Sequence, residues 1–318
     1  MKTEMKFIQV NHVPTKILVY DDEIGWLDRN EKFNKKQLIL MISGNPGEIE
    51  YYTDYFSTLY LEMKIPLIGL SHAGHNCIPA GYSRPQMNSQ LFGLEAQIVH
   101  KAQFIQNHIE PSTRIILIGH SIGCYIILEL LDRYSDIAKM VDHSILLYPT
   151  IDSIGDTKSG RLTHFFIKFL LYPVLALAYL FNSILSSERK EQLIKAYLLL
   201  NGNECLDSVV RSATNLLDPY CVRAVTMMAS EELVQVLEPK LNIIEANASN
   251  LSMFYSESDP WAPVDRYHKL RRKFENFQDK LDIRLCLGQM EHAFILESDS
   301  VCKVSQLTCD VIKNKWKL

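Results

Sequence analysis

The chain of 318 residues contains the stretch Arg114-Ile-Ile-Leu-Ile-Gly119-His120-Ser121-Ile122-Gly123-Cys-Tyr-Ile-Ile-Leu-Glu-Leu130. Its first part is a continuous apolar run, which predicts a strand buried on both faces, and its last part has the apolar spacing of a helix. The pattern Gly-x-Ser-x-Gly between them predicts a sharp, strained turn that raises the Ser121 hydroxyl above the edge of a sheet. Glycines two residues on either side let the strand and the helix approach without a Cβ clash. We therefore predict that Ser121 is a nucleophile held in a strand–turn–helix elbow.

Similar apolar runs recur along the chain, and segments of helical character separate most of them. The runs cover residues 38–43, 66–70, 143–148, 251–255 and 281–287, and two helix-length segments cover residues 91–109 and 121–134. Residues 7–10 and 17–20 predict a hairpin that precedes this alternation. Alternating strands and helices predict an α/β fold with a mostly parallel sheet covered by helices on both sides.

The alternation stops once, over residues 151–241, where the sequence has helical character and no strand signal. Such a length exceeds a simple crossover, so we predict a helical cap inserted between two parts of the core, residues 1–150 and 242–318.

The predicted cap contains an apolar segment, residues 165–185, which is interrupted by Pro173 and flanked by basic residues (Arg161, Lys168, Arg189 and Lys190). A helix that spans a membrane needs about 20 apolar residues without a central break, so a single complete crossing is not expected. Aromatic ends and flanking basic residues favour an interfacial contact with a lipid layer, or a hairpin bent at Pro173. The alternative is a pair of cap helices packed on the core.

A serine nucleophile needs a base, and the base needs an acid that orients it. In folds with such an elbow the acid and the histidine follow the serine along the chain. His292 follows the last predicted strand, and Asp259 ends the strand after the cap in a polar turn, so we predict these two residues as base and acid. Glu257 and Asp265 remain alternatives for the acid.

The predicted chemistry also needs two backbone N–H groups that stabilise the oxyanion of a tetrahedral intermediate. Ile122, directly after the nucleophile, is one predicted donor. The second is Asn45, in the loop Ser43-Gly-Asn-Pro-Gly47 that follows an earlier buried strand. An ordinary strand-to-helix turn would use the same glycines and proline. The sequence assigns no functional role to the aromatic residues Tyr51, Tyr52 and Trp261.

Composition excludes other classes of function. The 33 basic and 37 acidic residues give a formal net charge of −4, which lacks the basic footprint of a nucleic-acid-binding protein. The seven cysteines form no CxxC pair and no cluster with histidine, so neither a disulfide framework nor a structural zinc site is expected. The predicted reaction needs no metal and no organic cofactor.

Together these motifs resemble those of the lipid droplet-associated hydrolase family, nearly from end to end of the chain. The resemblance depends on Gly44-Asn-Pro-Gly47 with Tyr51-Tyr52, Gly119-His-Ser-Ile-Gly123, Ser258-Asp-Pro-Trp261 and Glu291-His-Ala-Phe294. It implies an α/β-hydrolase fold and a serine hydrolase that acts on neutral lipid esters, cholesteryl esters first and triacylglycerols second. It also implies two lipid partners, the lipid droplet monolayer and the endoplasmic reticulum membrane, contacted from the cytosolic side through the apolar segment.

Two other functions remain open from the sequence. One is a droplet protein with a mainly structural role in droplet clustering or turnover and little or no lipase activity. The other is a soluble esterase or thioesterase whose cap only shapes an acyl pocket.

Overall fold

The computed structural model describes residues 2–26, 31–277, 280–286 and 290–317. In these ranges eight strands form one sheet in the order β1-β2-β4-β3-β5-β6-β7-β8. The strands are β1 Lys2–Val10, β2 Val13–Asp21, β3 Gln37–Ile42, β4 Leu67–Leu70, β5 Arg114–His120, β6 Val141–Leu147, β7 Leu251–Ser256 and β8 Asp282–Cys286. Strand β2 runs antiparallel to both β1 and β4, and all other neighbours are parallel. The predicted mostly parallel sheet is confirmed, although Leu287, the last residue of the final predicted strand, lies outside the described residues.

Helices cover both faces of the sheet, as predicted. They are α1 Thr53–Met63, α2 Ser89–Phe92, α3 Leu94–His108, α4 Ile122–Arg133, α5 Ser135–Met140, α6 Lys158–Phe169, α7 Leu171–Ile184, α8 Ser187–Leu200, α9 Asp207–Asn215, α10 Pro219–Gln235, α11 Leu241–Ala246, α12 Val264–Lys273 and α13 Ser298–Trp316. The predicted amino-terminal hairpin is also present. It closes through Asn11 and His12, whose φ angles of 48° and 62° match the positive values of a type I′ turn.

The core consists of two apolar layers, one on each face of the sheet, because successive side chains of a strand point to opposite sides. In β3, Leu38, Leu40 and Ile42 pack into the layer beneath α3 and α4. Ile39 and Met41 pack into the other layer, beneath α1 and α13. Full burial of each such side chain contributes about 1.5–3 kcal/mol, so a strand apolar on both faces is stable only between two layers of helices.

Residues 151–241, all of which the structure describes, contain α6 to α10 and the start of α11 and no strand. The bend in their apolar segment lies at Leu170, between α6 and α7, and not at Pro173 as the sequence suggested. The two helices meet at 72°. Pro173 is the third residue of α7, where a missing N–H is tolerated, and its ring conflicts with a helical carbonyl four residues earlier, at Phe169. The break therefore precedes the proline.

Among the described helices, none alone has the length and apolar character to cross a lipid bilayer, whereas the bent pair α6 and α7 meets that test of length and composition together.

Helices α6 to α8 expose an unusual amount of apolar surface. Tyr172 and Leu200 are 82% and 87% exposed. We call the exposed apolar side chains of these helices the apolar cap surface: Leu162, Phe165, Phe169, Leu170, Tyr172, Leu177, Tyr179, Leu180, Phe181, Ile184, Leu193, Tyr197, Leu199 and Leu200. Of the flanking basic residues, Lys190 is buried and donates a hydrogen bond to Asn182, so it belongs to the packing of the cap.

Candidate active site

Ser121 lies in the predicted elbow between β5 and α4. Its backbone has φ 54° and ψ −122°, a strained conformation for a residue with a side chain. The neighbouring glycines are required by close packing. A Cβ atom on Gly123 would lie 2.3 Å from the carbonyl oxygen of Ile42, and one on Gly119 would lie 2.8 Å from the side chain of Ile127. The turn therefore requires glycine at both positions, and it presents Ser121 at the carboxyl end of a central strand.

The structure brings the three predicted catalytic side chains into one hydrogen-bonded line. The Oγ atom of Ser121 lies 2.8 Å from Nε2 of His292, and Nδ1 of His292 lies 2.7 Å from Oδ2 of Asp259. A carboxylate only accepts, so Nδ1 carries the imidazole proton and Nε2 is free to accept the serine proton. Thr150 adds a contact of 3.5 Å from its Oγ1 to the Ser121 oxygen.

Asp259 is suited to hold a positively charged imidazole. Its Oδ1 accepts the N–H groups of Trp261 and Ala262 at 2.8 and 3.0 Å. Burial by itself raises the pKa of this carboxyl, but the hydrogen bond and charge of His292 and the two N–H groups outweigh burial and hold the pKa below its usual value. Glu257 and Asp265, the alternatives for the acid, are exposed.

An accounting of backbone N–H groups favours Asn45 as an oxyanion donor. In the loop 44–47, the N–H of Gly44 donates to the Tyr52 hydroxyl and that of Gly47 donates to Nδ1 of His75. Pro46 has no N–H, so Asn45 keeps the one N–H of this loop that meets no acceptor among the described residues. Ile122 is the first residue of α4, where an N–H has no intrahelical acceptor. Both predicted donors therefore lack an acceptor within the described part of the chain.

A second hydrogen-bonded chain, which the sequence did not predict, links the oxyanion loop to the base. His120 Nε2 lies 2.8 Å from the carbonyl oxygen of His292, so Nε2 carries the proton and Nδ1 accepts. The Tyr52 hydroxyl, 2.7 Å from Nδ1, donates to it while accepting from Gly44. Burial lowers the pKa of His120 to about 3, so the imidazole is neutral. The Tyr51-Tyr52 pair was visible in the sequence, but nothing there indicated its partner.

A cavity of about 400 Å³ opens onto Ser121 and His292. Trp261 and the two tyrosines, given no role from the sequence, line its core side together with Asn45. The cap supplies the opposite wall through Ile154, Thr163, Val225, Ala229, Glu232 and Leu233. Its volume lies in the range of ordinary small-molecule sites, and its walls are largely apolar. Such a cavity suits an acyl chain or another apolar group attached to a reacting carbonyl.

Comparison with known proteins places these features in one family. The family model described as "Lipid-droplet associated hydrolase" matches residues 35–295. A lipid droplet-associated hydrolase of Gallus gallus is 32% identical over 280 residues, which are 86% of this chain and 84% of that protein. One from Mus musculus is 29% identical and covers 92% of this chain and 90% of its own length.

Solved structures agree on the fold. A putative aryl esterase from Burkholderia cenocepacia aligns over 99% of this chain and all of its own, with a TM-score of 0.59 and 15% identity. At that identity the likeness supports the fold alone, which is that of the α/β-hydrolases. Since the family model covers most of the chain and relatives match it nearly throughout, the chain belongs to the lipid-droplet associated hydrolase family.

Proposed function

We propose that this hydrolase is a serine esterase that cleaves neutral lipid esters, cholesteryl esters first and triacylglycerols second, at the surface of lipid droplets. The observation that carries the proposal is the line from Asp259 through His292 to Ser121, with contacts of 2.7 and 2.8 Å, beside a largely apolar cavity. An activated serine next to apolar walls suits an ester whose acyl chain is long and uncharged.

The reaction follows from the geometry. Ser121 Oγ attacks the ester carbonyl while His292 Nε2 takes its proton, and Asp259 stabilises the imidazolium that forms. The N–H groups of Asn45 and Ile122 stabilise the oxyanion, and such donors contribute several kcal/mol each. His292 then gives the proton to the departing alcohol. Water attacks the acyl-serine, His292 takes a proton from the water and returns it to Ser121 Oγ, and the fatty acid leaves.

The apolar cap surface supports the location. Scattered apolar residues are common on soluble proteins, but a cluster of this size on α6 to α8 marks a surface for interaction. A droplet monolayer encloses an ester core and has no second aqueous side, so the bent pair α6 and α7 can insert there without crossing. The names of the Gallus gallus and Mus musculus relatives also indicate droplet association. We propose that the same apolar cap surface contacts the cytosolic face of the endoplasmic reticulum membrane.

The test compares purified wild-type protein with the S121A variant. We expect a fluorophosphonate probe to label the wild type and leave S121A unlabelled, with equal thermal unfolding of the two proteins. Wild-type turnover of cholesteryl oleate, triolein and short p-nitrophenyl esters, presented in emulsions, then ranks the substrates. Labelling of S121A equal to that of the wild type would refute the assignment of the nucleophile.

A second function, a mainly structural role in droplet clustering or turnover, is favoured by the apolar cap surface, because that surface needs no working serine. Droplet number and size in cells that express either the wild type or S121A separate the two functions. A phenotype that is lost with S121A supports the esterase. A phenotype that S121A retains, while wild-type protein lacks lipid turnover, supports the structural role.

A further inference from the structure

We infer that Glu232, on cap helix α10, is a positioning residue for ester hydrolysis, because it holds the side chain of Asn45 and thereby fixes the loop that supplies an oxyanion donor. This inference rests on the proposed function. It assigns to the cap a part in the chemistry in addition to its part in forming the cavity.

The contact between the cap and the oxyanion loop is direct. Nδ2 of Asn45 donates to Oε1 of Glu232 at 2.8 Å and to the carbonyl oxygen of Val225 at 3.2 Å. Both acceptors belong to α10. The amide of Asn45 is thus held on the cap side, and its own main-chain N–H remains available for the oxyanion.

The remaining anchors of the loop explain why this contact matters. Gly44 is held by its N–H bond to the Tyr52 hydroxyl. Gly47 is held by its N–H bond to Nδ1 of His75 and by its carbonyl oxygen, which accepts the N–H of His72 at 2.8 Å. Between them, the side-chain Oδ1 of Asn45 is buried and has no partner within the described part of the chain. The two bonds from Nδ2 to α10 are therefore the polar contacts that orient the Asn45 side chain, and Glu232 makes the shorter of them.

The raised pKa of Glu232 suits a position near a developing negative charge, because it favours the uncharged carboxyl. The side chain is buried in the cavity wall, and this burial raises the pKa of its carboxyl to about 7 against the opposing effect of the hydrogen bond from Asn45. A neutral carboxylic acid still accepts a hydrogen bond through its carbonyl oxygen. Below pH 7, where it is mostly protonated, the carboxyl adds little negative charge beside the place where the oxyanion forms.

The preceding residue supplies a matched control. Glu231 also ties α10 to the core, because its Oε2 accepts the N–H of Leu94 at the start of α3 at 2.7 Å. Glu231 is outside the cavity lining and has no contact with the oxyanion loop among the described residues. Loss of Glu231 therefore tests general attachment of the cap, whereas loss of Glu232 tests the loop.

The experiment measures the rate of fluorophosphonate labelling and the kcat and KM for a soluble p-nitrophenyl ester in full-length wild type, E232A, E232Q and E231A. We expect E232A to lower kcat and the labelling rate at least about tenfold with little change in KM, because an oxyanion donor acts in the transition state. E232Q, which keeps the acceptor oxygen, should recover most of the rate. E231A should retain the wild-type rate.

The variant N45A removes the same hydrogen bond from its other end and keeps the main-chain N–H. We expect a loss of rate at least as large as that of E232A, because N45A also removes the bond to the Val225 carbonyl. The double variant N45A/E232A should lose no more than N45A alone, since the bond to Glu232 is already absent in N45A. If E232A alone unfolds, N45A tests the same contact from its other end, and a wild-type rate in N45A would overturn the inference.

Three outcomes would overturn the inference. E232A could be as fast as the wild type, E231A and E232A could be equally slow, or the losses of N45A and E232A could add. An unlabelled wild type would instead refute the proposed function, and this inference with it.

Discussion

The imidazole of His120 donates its Nε2–H to the main-chain carbonyl oxygen of His292 across 2.8 Å. His120, which directly precedes Ser121, therefore holds the backbone of His292, the predicted base. The two rings lie 5.2 Å apart, and the Tyr52 hydroxyl completes the chain to the oxyanion loop. Elbow, base and loop are thus held by one buried set of neutral hydrogen bonds.

The variant H120L tests this arrangement. It leaves the His292 carbonyl without its donor and the Tyr52 hydroxyl without its acceptor, and an unsatisfied buried group costs about 1–3 kcal/mol. We expect kcat/KM for a soluble ester to fall roughly tenfold to a hundredfold. The matched control is H143L, since His143 is also buried but bonds to Ser252 within the sheet. Equal losses of activity in H120L and H143L would count against a link specific to the base.

Asp259→Asn should affect the proton on His292 and leave the site geometry nearly intact. An amide NH₂ facing Nδ1 forces the proton of His292 onto Nε2, which can then no longer accept from Ser121. We expect fluorophosphonate labelling to slow by about 10³–10⁴-fold. Glu257→Gln, a change at an exposed neighbour, should label at the wild-type rate. A D259N rate within tenfold of the wild type would exclude Asp259 as the acid.

The stability of the protein should depend on pH through Glu232. Burial raises its pKa from 4.5 to about 7 in the folded protein. Between these values the unfolded chain has lost the proton that the folded protein keeps, so the free energy of unfolding falls as the pH rises through this window. The total decrease in the free energy of unfolding above pH 7 is on the order of 3 kcal/mol.

Glu232→Gln cannot ionise, so it should be more stable than the wild type at pH 8, with a much smaller difference at pH 4.5. Urea unfolding at pH 8 and at pH 4.5 measures the free energy of unfolding of the wild type and of E232Q, with E231Q as the control. A stability difference between E232Q and the wild type that is equal at both pH values would show that Glu232 does not titrate in this window.

Binding to lipid should depend on the apolar cap surface. Phe169, on α6, and Leu61, on α1, are 57% and 56% exposed, so they form a matched pair. Burial of one such side chain contributes about 1.5–3 kcal/mol, so F169E should weaken flotation with phospholipid-coated triolein droplets about tenfold or more. L61E should float like the wild type. Equal effects of the two changes would place the lipid contact elsewhere.

Three residues that the sequence pointed to gather around Ser121 in the structure, for a physical reason. Parallel strands end at one edge of the sheet, so the residues that follow β3, β5, β7 and β8 had to meet there. Asn45, Asp259 and His292 are such residues. Their meeting depends on the parallel direction of these strands, which the alternation of strands and helices predicts.

Contacts across the cap could not be predicted in that way. Asn45 and Glu232 are 187 positions apart, and only the packing of α10 over the cavity brings them together. No local pattern marks Glu232, because a glutamate is ordinary in any helix. The bend was expected at Pro173 and lies at Leu170 for a different reason. The ring of a proline conflicts with the helical carbonyl four residues earlier, so the helix breaks before the proline and not at it.

The adjacent pair Glu231 and Glu232 fastens α10 to two separate parts of the core. If α10 swung outward to admit a bulky lipid, Glu232 would leave Asn45 in the same movement. An outward movement of α10 and the bond from Asn45 to Glu232 therefore exclude each other. Under the proposed function, the hydrolysis step therefore takes place while α10 is packed against the loop of Asn45.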